Sequence, residues 1–223
     1  MPLRNACFIS YRHGQYELMR EFVMELYAAL CAEMEPMLGP NVVYLDQKRL
    51  KGGDLFNQAL ANDLFESATM IMVYTPTYFH WQETYCAREY AAMEELEQHR
   101  LGLLGPAANG EHGLIVPVVL RGTSHLPDSI RRVRQCYDFE GFQLGGRRLS
   151  RHPRFAPTIR AIAAYICDRY QEMSSLPADV FAGADHFRLP DEAQIKPLLS
   201  AAAGFRMPFP GGSAPCSRSA VWA

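Results

Sequence analysis

The sequence has no apolar run approaching the roughly 18 residues that span a bilayer. Its opening, MPLRNACFISYRHG, passes from a short apolar stretch straight into polar residues, unlike a secretory signal. Six cysteines are present without a Cys-x-x-Cys pair, so the spacing used for zinc or dithiol chemistry is missing. Most of them sit in apolar periodic segments, where a reduced buried thiol is the common outcome. The seven histidines are scattered, and no metal site is expected. There is no Gly-x-Gly-x-x-Gly turn for a dinucleotide cofactor and no Gly-x-Ser-x-Gly elbow for a serine hydrolase. An excess of one charge is also lacking: the formal net charge is −2, and basic residues form no stripe beyond the local group Arg147, Arg148, Arg151 and Arg154. Binding driven by phosphate neutralisation is therefore disfavoured. The expectation is a cytoplasmic protein with neither nucleic acid nor membrane as partner.

What is present is a core. Apolar residues make up 48% of the 223 positions and charged residues 21%, the balance of a globular chain. The length suits one domain with an appendage, or two small domains. Short apolar runs at Ala6–Ser10, Val42–Leu45, Ala68–Tyr74 and Leu114–Leu120 have strand length, and Tyr137–Phe139 suits a short last strand. Pro117 inside the fourth run points to an edge position or a bulge. Between them, helical spacing covers Tyr16–Glu33, a segment capped by Asp54, Thr84–His99 and Phe155–Met173. Pro36, Gly39 and Pro40 are expected to break the first helix, and Leu101–Gly113 reads as irregular. Pro157 falls in a first turn, where proline is tolerated. Strands alternating with helices imply a parallel, doubly wound α/β sheet with helices on both faces. The domain is expected over 1–173. Residues 174–223, rich in Ala, Pro, Gly and Ser, read as a tail or linker holding one short helix near Leu189–Leu199.

Ligands of such folds gather at the carboxyl ends of strands, near the switch in strand order. The loops there are Ser10–Gly14, Asp46–Gly53 and Thr75–Glu83. One residue on the helix after the third loop does not fit its surroundings. At about 100° per residue, Tyr85, Ala92, Met93 and Leu96 share a stripe, and Glu89 lies near its middle. Glu94 faces the opposite side, and Glu95 and Glu97 fall at or beyond the edges, where solvent accounts for them. A carboxylate facing a core must be paired, hydrogen-bonded or open onto a cleft. Two readings stand: hydrogen bonds from a loop or a pairing with Arg12, or a functional carboxylate in the cleft.

Taken in order, five segments resemble the TIR (Toll/interleukin-1 receptor) domain family. They are Phe8-Ile9-Ser10-Tyr11-Arg12; Tyr44-Leu45-Asp46 with Leu50-Lys51-Gly52-Gly53-Asp54; Val73-Tyr74-Thr75-Pro76-Thr77-Tyr78; Tyr85-Cys86-Ala87-Arg88-Glu89-Tyr90; and Ile115-Val116-Pro117-Val118. They span roughly Asn5 to Tyr170. Tyr85 stands where the family has tryptophan, Thr75 where it has serine, and Gly52-Gly53 where it has Pro-Gly. The resemblance implies a flavodoxin-like fold of about five parallel strands. Within the family it is similar to the bacterial NAD⁺-hydrolysing type, whose catalytic glutamate falls at Glu89. It further implies that Phe8, Ser10, Tyr11 and Tyr85 line the substrate pocket and that Arg12 meets the diphosphate. Asp46, Leu50 and Lys51 would gate the cleft or contact a neighbouring subunit, and Trp81 would stack on a base, anchor a protomer or cap the core. NAD⁺ is then substrate, with no cofactor. Activity would depend on self-association, with a sensor protein or domain as a further partner and antiphage defence as setting. The rival expectation is a non-enzymatic TIR scaffold that signals by protein–protein contact.

Overall fold

The computed structural model describes residues 3–14, 17–45, 54–104, 113–142, 148–177 and 186–202. Five strands form one all-parallel sheet in the order β2-β1-β3-β4-β5: β1 (Asn5–Tyr11), β2 (Val43–Leu45), β3 (Ser67–Tyr74), β4 (Ile115–Val119) and β5 (Tyr137–Asp138). The chain runs from β1 outward to β2, then returns to the other side of β1 for β3. The order therefore reverses between β1 and β3. The strands stay paired to Tyr11 and Val73, and the chain leaves their carboxyl ends toward opposite faces of the sheet, where such folds form a crevice.

The helices are α1 (Glu17–Leu38), α2 (Asp54–Phe65), α3 (Tyr85–Leu104), α4 (Asp128–Arg131), α5 (Phe155–Ser174) and α6 (Glu192–Ala202). Successive residues of a strand point to opposite faces, so the sheet divides the core in two. Cys7, Ile9, Ile71, Val73, Val116 and Val118 face α1 and α5. Phe8, Met70, Met72 and Tyr74 face α2 and α3. Every residue of β3 is buried, as a central parallel strand covered on both faces requires.

Several expectations are corrected. α1 passes through Pro36 instead of breaking there. The ring sits in the last turn, and the helix stops at Gly39, whose φ of 86° is left-handed and whose N–H donates to Glu35 O at 2.9 Å. α3 continues past His99 to Leu104, since Leu101, Leu103 and Leu104 are good helix formers. Pro117 lies on an interior strand, opposite Met72 of β3. Leu120 N–H bonds Tyr74 O, whereas Val119 O accepts from Phe139 on the β5 side. By alternation the proline nitrogen also faces the β5 side, and β5 pairs only with Val118 and Val119. The missing donor thus falls where no ladder bond is offered, which removes the usual objection to proline in a sheet.

Residues 186–202, assigned from sequence to a tail beyond 173, pack onto the domain. Leu189 and Ile195 are buried in the α2/α3 cluster. Phe187 packs on Phe65 with ring centroids 5.2 Å apart, and Gln58 Nε2 donates to Phe187 O. The expected tail from Met207 lies outside the described residues. Among the described residues no helix is long and apolar enough to cross a membrane, and no cluster of three or more His, Cys, Asp or Glu residues could hold a metal ion. The five cysteines described are free thiols.

Candidate functional site

The site is assembled where β1 and β3 end. Ser10 shares the β1 face of Phe8, so its side chain is directed at α3 rather than at α1. Glu89, in the second turn of α3, meets it there: Ser10 Oγ donates to Glu89 Oε2 at 2.5 Å. The same Oγ lies 2.5 Å from the Tyr78 hydroxyl. Ser10 is 1% exposed, Tyr78 0% and Glu89 8%. A carboxylate this deep needs hydrogen bonds to its charged form, and Ser10 supplies one. Burial holds the Tyr78 phenol well above its ordinary pKa, with Cys86 and Glu89 adding to the shift, so it remains protonated.

Tyr78 is delivered by the turn that leaves β3. Its N–H donates to Thr75 O at 2.8 Å, and its ring packs edge-on against Phe79 at 4.9 Å. Arg12, two residues beyond Ser10, braces this turn from outside, with Nη1 on Thr77 O at 2.9 Å and Nε on Glu83 at 3.3 Å. The expected alternative, an Arg12–Glu89 pair, is replaced by these contacts. Next to them opens a cleft of about 550 Å³ lined by Arg12, His13, Gly14, Met19, Thr75, Thr77 and Glu83. His80, beside it, has its pKa lowered by burial and then by Arg12.

The remaining expected site residues are spread out. Phe8 is 1% exposed, stacked on Tyr44 at 5.3 Å, and so belongs to the core rather than to an open pocket wall. Tyr11 is turned to the other face of β1 and stacks on His13 at 4.3 Å. Tyr85 is half-buried, with the Arg88 guanidinium 5.6 Å from its ring centre. Trp81 is 69% exposed and stacks only loosely on His80 at 5.9 Å, so it does not cap the core. Asp46, Leu50 and Lys51 lie outside the described residues.

Two features were not foreseen. Tyr78 appears in a motif of the sequence, but no spacing rule reveals that its hydroxyl reaches Ser10, 68 residues away. Glu97, assigned to solvent, is buried. It bonds Arg134 Nη1 through both oxygens at 2.9 and 2.7 Å, because Arg134 arrives from the loop before β5 and covers that edge of α3.

A parallel sheet in the order 2-1-3-4-5 defines a flavodoxin-like α/β domain, a class in which ligands gather at the switch point between β1 and β3. Residues 7–149 match the profile of the TIR domain, and the chain belongs to that family. Neither a curated protein nor a solved structure matches it. The matched stretch ends before α5, which the fold nevertheless needs to cover the sheet face carrying Cys7, Ile9 and Val73.

Proposed function

We propose that this TIR domain hydrolyses NAD⁺ at the nicotinamide–ribose bond. The observation that carries the reading is Glu89, a carboxylate kept 8% exposed at the carboxyl edge of the sheet and hydrogen-bonded by Ser10 rather than neutralised by Arg12. In the reaction the C1′–N1 bond breaks and its electron pair leaves with nitrogen, giving neutral nicotinamide. Because the pyridinium departs uncharged, no general acid is needed, and one carboxylate beside the ribose suffices. It accepts ribose hydroxyl hydrogen bonds and stabilises the oxocarbenium-like centre. Water then adds at C1′ and releases a proton to give ADP-ribose; attack by the substrate's own adenine would give a cyclic isomer. Arg12, at the mouth of the cleft, suits a diphosphate. Self-association completes the proposal, with Trp81 as an exposed contact residue.

That exposed indole also favours a second reading, a scaffold that only assembles. One experiment separates them. Purified protein, clustered with a crowding agent, is incubated with NAD⁺ and the products are resolved. Wild type is expected to release nicotinamide, and Glu89→Gln to lose about 10²–10³-fold in rate while remaining folded. Intact NAD⁺ with clustered wild type, or equal consumption by the variant, would leave the scaffold.

A further inference from the structure

Ser10 has one proton and sits 2.5 Å from two oxygens, Glu89 Oε2 and the Tyr78 hydroxyl. An ionised carboxylate can only accept. The Ser10 proton therefore goes to Glu89, and the Ser10 oxygen must accept from Tyr78. The order of donation along the three side chains is fixed, Tyr78 to Ser10 to Glu89. Burial keeps the phenol protonated, so it carries the hydrogen that this order requires.

This arrangement changes the expected part of Ser10. Its hydroxyl is 1% exposed and its hydrogen already committed, so it is not a donor to substrate. We propose that Tyr78 is a positioning residue for Glu89, acting through Ser10 to hold the carboxylate ionised and fixed at the crevice. The proposal rests on the reading of Glu89 as the reactive carboxylate. The surroundings of Tyr78 suit such a role. Its turn is closed by the Tyr78 N–H to Thr75 O bond and held by Arg12 on Thr77 O, and its ring is packed against Phe79. The hydroxyl is thus delivered by a braced element rather than by a mobile side chain. Each bond in such a chain polarises the next, strengthening it by roughly 10–30%. Loss of Ser10 should therefore affect Glu89 more than loss of the Tyr78 hydroxyl.

The test uses the full chain with ¹³C-labelled glutamate. Glu89 is assigned by its disappearance in Glu89→Gln, and its carboxyl midpoint is followed with pH in wild type, Ser10→Ala, Tyr78→Phe and the double variant. Removing a donor to the charged form raises a carboxylate pKa. Ser10→Ala is expected to raise the midpoint by about one pH unit, the scale of a hydrogen bond to a charged group. Tyr78→Phe should raise it by a smaller step, and should add nothing once Ser10 is Ala. The acid limb of the NAD⁺ consumption profile should move with the midpoint in each variant. An unchanged midpoint in Tyr78→Phe, or an equal added shift in the Ser10→Ala background, would overturn the relay. Failure of the wild type to consume NAD⁺ would instead overturn the assigned reaction, while the carboxyl titration would still decide the relay.

Discussion

Glu89 and Glu97 are both buried on α3, yet their surroundings give them different chemistry. Glu89 receives a hydroxyl, whereas Glu97 receives the Arg134 guanidinium through two short bonds. Burial raises the Glu97 pKa despite that partner. Arg134 is lowered by burial, but Glu97 and Tyr90 outweigh this and raise it. The pair is thus a structural contact whose halves depend on one another. Removing one partner of a buried pair typically costs about 3–5 kcal/mol, because the other charge is stranded. Arg134→Met is expected to destabilise the fold on that scale, measured by urea unfolding. The pH dependence has a definite sign. With the folded pKa of Glu97 raised, the native state holds the proton more tightly than the unfolded one, so stability falls as pH rises from the ordinary carboxylate value towards the folded value. Arg134→Met removes two influences that lower this pKa, which widens the window. The variant should therefore lose less stability at pH 5 than at pH 8, and Glu97→Gln in the same background should remove the difference.

At the scale of elements, the turn carrying Tyr78 is tied to the loop leaving β4. Tyr74, the last residue of β3, donates its hydroxyl to His125 O at 2.7 Å. Gly122 has φ 78°, and a Cβ there would run into the Pro76 ring. Its N–H and that of Thr123 both donate to Glu140 Oε1. The bonds from Thr123 and then Gly122 lower the Glu140 pKa, so their support is present at neutral pH and fades as pH falls through the folded value. Gly122→Ala combines a left-handed backbone with a clash against the site turn. It is expected to cost roughly 1–3 kcal/mol, read as a lowered melting temperature, and, on the proposed reaction, to slow NAD⁺ turnover by shifting Pro76 and, with it, Tyr78. Unchanged turnover in a destabilised variant would show that the loop supports the fold without reaching the site.

At the scale of the molecule, the chain after α5 returns to the domain. Arg88, the neighbour of Glu89, donates Nε to Pro190 O at 2.6 Å, and Leu189 and Ile195 enter the same core as Met93 and Leu96. Burying one such side chain is worth about 1.5–3 kcal/mol. Ending the chain at residue 177 should therefore lower the melting temperature by several degrees and expose apolar surface on α2 and α3, detectable with a hydrophobic dye. An unchanged melting curve would mean that α6 rests on the domain without supporting it.

Apolar runs of strand length and the 3.6-residue helical period determined the β/α alternation, five strand positions and the anomaly of Glu89, because these are properties of short local segments. The pattern around Leu189–Leu199 likewise marked a helix. Long-range partners were not legible. Whether a carboxylate on α3 meets a serine on β1, a guanidinium from the loop before β5 or water depends on which backbone folds across it, and helical spacing does not record that. Hence Glu97 reads as solvated from spacing alone, an Arg12–Glu89 pair stays open as an alternative, and Tyr78 carries no role. The same holds for Pro117: its tolerance comes from the shortness of β5, a property of the neighbouring strand. Tertiary structure alone decided which polar groups pair, since each pairing joins chain segments tens of residues apart.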